Sequence, residues 1–156
     1  MKSLNALFAA AVFMTGPALA EPLTAGPGEY TVEDGMTIMF GSQRVVLRHI
    51  SAPPLGTSCL LGGKPRDCGL ISRASLMDLS AGASITCKLG ADGLGQCTSG
   101  GFDLAENMVY TGWAVPQAGA PKRYWAQMNG AKARKRGFWK GAFQPAWPPQ
   151  RDALAQ

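Results

Sequence analysis

Three side chains in the early part of the chain could support hydrolysis of a phosphate ester. Arg48 could hold a phosphate, His49 (the only histidine) could exchange a proton, and Asp34 could assist them. A strand over residues 43–50 would point Arg48 to the same face as Val46. Each of the three also has an ordinary explanation, as a solvated arginine, a structural histidine and a turn aspartate. They therefore form a hypothesis and not a motif.

Four cysteines, Cys59, Cys68, Cys87 and Cys97, could form disulfides or bind zinc. An even number of cysteines favours disulfides in an oxidising compartment, and no C-x2-C pair typical of zinc sites is present. Three pairings are possible. We favour Cys59–Cys68 and Cys87–Cys97, because each pair brackets a glycine-rich turn. Closing loops of this size stabilises a fold by roughly 2–3 kcal/mol each.

Seven of the 15 lysines and arginines lie within residues 122–140, and the formal net charge is +5 at pH 7. Such a stretch could attract nucleic acid or an acidic polysaccharide. It is also typical of a solvated helix whose cations complement the negative C-terminal dipole, and this is the interpretation that we favour.

The first 20 residues are typical of a signal peptide. Lys2 gives a positive start, and Ala18-Leu19-Ala20 is a signal-peptidase site. The apolar run at residues 4–14 is shorter than the roughly 20 residues that a membrane span needs. We expect cleavage near Ala20 and a periplasmic or secreted protein without a membrane span. Residues 21–143 would form one domain, and the Pro-rich residues 144–156 a flexible tail.

The first part of this domain is predicted to be β-structure. Residues 29–33 and 37–41 flank the turn Asp34-Gly35, which is a hairpin signal. Residues 43–50 form a third extended run, which ends because the following prolines cannot donate to a ladder.

A helix is predicted next, over residues 69–79, because Leu70, Ala74 and Met77 recur on one face. Two further short strands are expected after it. They are residues 83–88 and 96–99, which flank a glycine-rich turn.

Two later helices complete the predicted secondary structure. One begins at Asp103, with Glu106 as a capping-box partner, and ends near Gly112. The other follows Pro121 and runs to Arg136. The fold class is α+β, and five short strands with three helices are compatible with a small oligonucleotide/oligosaccharide-binding (OB) barrel. The side chains expected in the core of this last part are Trp125, Met128, Phe138 and Trp139.

Several segments together resemble the staphylococcal-nuclease-like (thermonuclease) family. VEDGMTI at residues 32–38 is similar to the family's V-x-D-G-D-T-I, and VVLRHISAPP at residues 45–54 to its V-R-L-x-G-I-D-A-P-E. The order and spacing of the matches over about 110 residues carry the resemblance. It implies the family's OB barrel and supports the pairing Cys59–Cys68 and Cys87–Cys97. Shorter matches are CG at 68–69, GFDL at 101–104, MV at 108–109, GWA at 112–114 and RKRGFWKG at 134–141.

The resemblance also implies where the family's chemistry should lie, and the chain departs from the family there. In the family, a calcium ion and two arginines hold the phosphate while a glutamate positions or activates water. The two acidic calcium ligands fall on Met36 and Ser51, the glutamate on Pro54 and the first arginine on Val46. The second arginine belongs to a D-x-Y-G-R stretch, which is shortened here to DGLGQC at residues 92–97.

These replacements predict no catalytic residue and no metal site. Calcium takes six to eight oxygen ligands, and the retained Asp34 and Thr37 cannot anchor it alone. A general base contributes about 10²–10⁴ in rate, and each preorganised charge stabiliser about 10²–10³. We expect a catalytically inactive pseudo-nuclease with no cofactor, calcium being expected only if the family site were retained.

Three functions are compatible with this sequence. We favour a periplasmic binding or accessory protein that kept the barrel and lost the enzyme, with ligand contacts at Arg44 and Arg48. The second is a divergent nuclease or phosphodiesterase that uses Arg48, His49 and Asp34 without calcium. The third is an accessory role in exopolysaccharide biosynthesis, which the resemblance implies by analogy with some exported members.

The expected partner is an acidic polysaccharide or a periplasmic protein, and the expected state is a monomer. Nucleic acid is the weaker expectation, because the predicted strands offer only Phe40, Arg44 and Arg48 to bind a single strand.

Overall fold

The computed structural model describes residues 21–141, which form a mixed α+β fold. The predicted signal peptide, residues 142–143 and the predicted tail over residues 144–156 lie outside the described residues. The α+β class, three helices and both disulfide pairings are confirmed. Five strands is too low a number, because the described region contains 11. None of the helices in residues 21–141 combines the length and the apolar character that crossing a membrane requires.

The strands are short and are distributed over three sheets. The largest sheet has the order β1-β8-β9-β4-β3-β2, with β10 paired to β9, and the two small sheets pair β5 with β11 and β6 with β7. Only β4 and β9 run parallel. The strands are β1 Leu23–Ala25, β2 Tyr30–Asp34, β3 Thr37–Phe40, β4 Gln43–Leu47, β5 Ile50–Ser51, β6 Ser58–Leu61, β7 Lys64–Asp67, β8 Ile85–Leu89, β9 Leu94–Ser99, β10 Phe102–Asp103 and β11 Val115–Pro116.

The strand predicted over residues 43–50 is divided in the structure. β4 ends at Leu47, and β5 begins at Ile50. Between them His49 has a left-handed backbone conformation, with φ of 73°, which interrupts the extended chain. Arg48 therefore lies in a turn, and the alternation that would have aligned its side chain with Val46 does not apply.

The helices are α1 Cys68–Ser80, α2 Leu104–Thr111 and α3 Lys122–Ala133, and a 3-10 turn follows at Gly137–Lys140. The predicted bounds of α2 are confirmed, since Asp103 Oδ1 accepts the Glu106 N–H at 3.1 Å and Gly112 forms the left-handed C-cap. α3 ends three residues before the predicted Arg136.

Helix α1 turns a different face to the core from the one expected. Leu70 and Met77 are 52% and 48% exposed, whereas the buried side comprises Cys68, Gly69, Ser72, Leu76 and Ser80. The buried face is small because the β2–β3 turn approaches it closely. A Cβ placed on Gly35 would lie 2.8 Å from Ser72 Cβ, so glycine is required in that turn.

The two disulfides occupy different environments. Cys87 and Cys97 face each other across β8 and β9, with Cα atoms 4.0 Å apart and both residues fully buried. Cys59–Cys68 joins the β6–β7 hairpin to the start of α1, with Cα atoms 5.8 Å apart.

A single hydrophobic core connects the large sheet with the helices. As predicted, Met128 and Phe138 are buried, and Trp125 and Trp139 pack against the core. The largest fully buried side chains are Tyr124, Phe138, Ile38, Leu47, Ile50, Leu76, Ile85, Leu104, Met108, Val45, Val109 and Val115.

Candidate functional site

The four positions to which the resemblance assigns chemistry carry uncharged side chains. Met36 lies in the β2–β3 turn, half-buried against the core. Val46 lies in β4 opposite Thr37. Ser51 is buried in β5, and Pro54 is exposed in the loop that follows.

Asp34, the carboxylate retained from the turn motif, is already engaged. Its Oδ1 accepts the backbone N–H of Met36 at 2.9 Å, and its Oδ2 lies 4.0 Å from Arg44 Nη2. Calcium takes six to eight oxygen ligands, and carboxylates supply most of its affinity. The thioether of Met36 and the hydroxyl of Ser51 bring no further carboxylate, so these residues do not fit a calcium ion. Within residues 21–141, no three His, Cys, Asp or Glu side chains are grouped so that they could hold a metal.

Arg44 is oriented by groups of its own hairpin. Its Nε donates to Glu33 Oε2 at 2.9 Å, and its Nη2 donates to Thr37 Oγ1 at 3.3 Å. Both members of the Arg44–Glu33 pair are about half exposed. Solvent therefore reaches the guanidinium, but a carboxylate already neutralises it.

Arg48 is held against the turn between β8 and β9. Its Nη2 donates to Asp92 Oδ1 and, at 3.4 Å, to the carbonyl of Leu94. Its backbone N–H donates to the carbonyl of Gly95 at 2.9 Å. The Leu94 N–H, and after it the Arg48 guanidinium, lower the pKa of Asp92 below its ordinary value. Asp92 is therefore ionised near neutral pH and matches the charge of Arg48.

His49 is placed beside Arg48 and against α3. Its ring meets the Tyr124 ring edge-on, with centroids 5.5 Å apart. Burial, and after it the charge of Arg48, lower the pKa of His49 below 6.5, while Asp103 acts in the opposite direction. The imidazole is therefore neutral at pH 7, the form that can accept a proton.

A polar network that the sequence did not predict connects β9, α2 and α3 at Asp103. Asp103 Oδ2 accepts from the Gln96 amide, from the Tyr124 hydroxyl at 2.7 Å and from Arg123 at 3.3 Å. Arg123 also donates to Glu106 at 2.8 Å. Burial, and after it the bond to Asp103, raise the pKa of Tyr124 well above its ordinary value. The sequence indicated Asp103 only as a helix cap and as part of the GFDL match, and neither predicts this network.

The structure thus separates Asp34 from Arg48 and His49, the other two side chains that could act on a phosphate ester. Arg48 and His49 are neighbours of Asp92, Asp103 and Tyr124, whereas the contacts of Asp34 are with Met36 and Arg44.

No protein-family profile matches this chain, and no curated protein matches it significantly. The fold and the site define a disulfide-bonded α+β domain in which two arginines, Arg44 and Arg48, are paired with carboxylates of the same chain. The two disulfides fit an extracellular or periplasmic protein.

Proposed function

We propose that this chain is an exported binding or accessory protein that does not hydrolyse phosphodiesters. The proposal includes the OB barrel of the staphylococcal-nuclease-like family, which the chain resembles in sequence. One observation carries it: Met36, Ser51 and Pro54 occupy the positions where the resemblance implies two calcium ligands and a glutamate, so no carboxylate is present there. The pairing of Glu33 and Asp92 with Arg44 and Arg48 adds to it.

The sheet order supports a barrel. β1 and β2 lie at opposite ends of the order, yet only residues 26–29 separate them in the chain. At about 3.3 Å per residue, four residues cannot cross the width of a flat six-strand path whose strands lie about 4.8 Å apart. The sheet must therefore curl strongly, as a barrel does.

The charge pairing and the missing ligands together argue against catalysis. A phosphate would have to compete with Glu33 for Arg44 and with Asp92 for Arg48. Exposed ion pairs are weak, so pairing alone would only reduce binding. Catalysis is lost because no carboxylate stands at Met36, Ser51 or Pro54 to bind calcium or to activate water.

The test is a cleavage assay of the purified protein with single-stranded DNA and calcium, beside an active thermonuclease. We expect no turnover above the buffer control. A calcium-dependent rate typical of the family would overturn the proposal. Weak activity would be checked with the double variant Arg48→Gln, His49→Asn, because unchanged activity in that variant would point to a contaminating nuclease.

A second candidate is a divergent, calcium-independent phosphodiesterase at His49. The observation in its favour is that a neutral imidazole lies beside Arg48. Its geometry is incomplete, because Arg48 is bound to Asp92 and the neighbouring Tyr124 hydroxyl is bound to Asp103. Activity that persists in a metal chelator and disappears in His49→Asn would favour this candidate over the first.

A further inference from the structure

A second basic region lies beyond the end of α3. There an open cleft of about 400 Å³ separates the end of α2 from the segment that follows α3. This volume lies within the range of small-ligand sites, about 300–1,000 Å³. The side chains that line the cleft include Tyr110, Trp113, Arg134, Lys135, Arg136 and Lys140.

The positive charge of this cleft is not balanced by nearby carboxylates. Arg134, Lys135 and Lys140 are exposed, and none of them forms an ion pair within residues 21–141. The sequence explains this, because it contains no Asp or Glu between Glu106 and Asp152.

The helix dipole accounts for part of this basic cluster. α3 ends at Ala133, Lys132 is the base in its last turn, and Arg134 is its C-cap. Cations at a helix C-terminus are stabilised by the dipole, and the effect falls off within the terminal turn. Lys140 lies in the separate 3-10 turn Gly137–Lys140 and extends the positive surface beyond the helix end.

Contacts of the Arg136 side chain and of the backbone fix the geometry of the cleft. Arg136 lies 3.9 Å over the Tyr110 ring and donates to the Tyr110 carbonyl and hydroxyl at 3.3 and 3.1 Å. Gly112 approaches so closely that a Cβ there would lie 2.5 Å from the Arg136 carbonyl oxygen. Lys135 adopts a left-handed conformation, with φ of 50°, which costs free energy in a residue with a side chain.

We propose that this cleft binds the carboxylates of an acidic oligosaccharide. Guanidinium groups bind planar carboxylates through paired hydrogen bonds, and Arg134 offers such a group beside the ammoniums of Lys135 and Lys140. Arg136 adds positive charge, although its two terminal nitrogens already donate to Tyr110. The choice of a polysaccharide partner rests on the proposed function as an exported binding protein. The inference adds the position of the site and the chemical class of its ligand.

Nucleic acid and membranes fit the cleft less well. Single-strand binding uses aromatic faces as stacking platforms. Of the two aromatic side chains that line the cleft, Tyr110 has one face covered by Arg136, and Trp113 is in edge-to-face contact with the buried Phe138. Insertion into a lipid surface uses exposed apolar side chains beside the cations. Of the large hydrophobic side chains that are exposed in residues 21–141, Tyr110 alone lines the cleft, and Arg136 lies over its ring.

The test measures binding of labelled hexagalacturonate to the exported protein by fluorescence anisotropy, with neutral maltohexaose, a single-stranded oligonucleotide and anionic phospholipid vesicles as competitors. The cleft variant is Arg134→Gln, Lys135→Gln, Lys140→Gln. The matched control is Lys64→Gln, Arg66→Gln, Lys88→Gln, which removes the same charge from exposed positions of β7 and β8. Near-ultraviolet circular dichroism checks folding, and single variants replace the triple variant if it is misfolded.

We expect the cleft variant to weaken binding of hexagalacturonate by tenfold or more, and the control variant by less than threefold. Equal losses in both variants, tighter binding of the oligonucleotide or vesicles, or no binding of hexagalacturonate would overturn the inference. The two proposals fail separately: DNA cleavage with intact oligosaccharide binding overturns only the proposed function, whereas a protein that neither cleaves DNA nor binds hexagalacturonate overturns only this inference.

Discussion

Two regions of this protein carry clustered cations, and their charges are compensated differently. Around β4, Arg44 and Arg48 are each bound to a carboxylate of the same chain. Beyond α3, Arg134, Lys135 and Lys140 have no such partner among residues 21–141. The cations around β4 are thus electrostatically compensated, and those beyond α3 are not. We call these two parts the closed region and the open region.

This comparison shows that the number of bases in a segment is a poor measure of its capacity to bind anions. The position of the nearest carboxylate decides how well an arginine can bind an anion, because an ion pair already satisfies part of the hydrogen-bonding capacity of the guanidinium. Glu33 is close to Arg44 in sequence, but Asp92 reaches Arg48 only through the pairing of β4 with β9.

The largest expected effect comes from removing the side chain that supports the open region. Phe138 is fully buried and meets the Trp113 ring edge-on at 4.9 Å. Phe138→Ala should lower the free energy of unfolding by about 3–5 kcal/mol, because it leaves a cavity. Urea unfolding measures the loss. The control, Phe138→Leu, should cost less than the alanine variant because it leaves a smaller cavity, and equal effects of the two variants would show that Phe138 is not tightly packed.

A smaller effect is expected at the glycine that joins α2 to this region. Gly112 and Gly119 have nearly the same φ, 80° and 79°, but only Gly112 has neighbours close to the position of a Cβ. Gly119→Ala should therefore cost about 1–2 kcal/mol for its left-handed backbone alone. Gly112→Ala should cost more, since a methyl group would collide with the Arg136 carbonyl. The difference between the melting temperatures of the two variants measures the cost of the collision. Equal losses of stability would contradict the close approach of Gly112 to Arg136.

The closed region can be opened by removing its carboxylates. In the double variant Glu33→Gln, Asp92→Asn, Arg48 loses its charged partner and Arg44 loses the nearer of its two, since Asp34 Oδ2 remains 4.0 Å from Arg44 Nη2. The Asn amide oxygen can still accept the Leu94 N–H. Affinity for a single-stranded oligonucleotide at low salt should rise about threefold, as expected for weak exposed pairs. The variant Glu21→Gln, Asp78→Asn makes the same change in net charge at exposed positions elsewhere. A similar rise in that control would attribute the effect to overall charge.

Local patterns predicted the elements that local interactions define. The turn at Asp34-Gly35, the cap at Asp103 and the bracketed cysteines depend on residues a few positions apart, and the structure confirms all three. Two-residue strands such as β10 and β11 were missed because they are too short to show alternation.

Features that depend on tertiary contacts could not be predicted in this way. The apolar face of α1 was assigned from Leu70 and Met77, but the buried face carries Leu76 and, where the β2–β3 turn approaches closely, the small Ser72. Likewise, the Asp103–Tyr124 bond joins residues 21 positions apart. No local pattern indicates it.

The smallest expected effect is a dependence of stability on pH, which tests how far the closed region controls its histidine. Burial, and after it the charges of Arg48 and Arg123, lower the pKa of His49 in the folded state below the value of 6.5, while Asp103 and Asp92 act in the opposite direction. The unfolded chain therefore binds a proton at a higher pH than the folded chain does, so stability should be complete above pH 6.5 and should fall as the pH drops towards the folded-state value. His49 is the only histidine, so between about pH 7 and 5.5 no other side chain with an ordinary pKa contributes. Asn tolerates the left-handed backbone at position 49. In His49→Asn, the free energy of unfolding measured in urea should therefore no longer change with pH over this range. A slope that is unchanged in the variant, or a wild-type protein that becomes more stable on acidification, would show that Arg48 and burial do not keep this imidazole neutral.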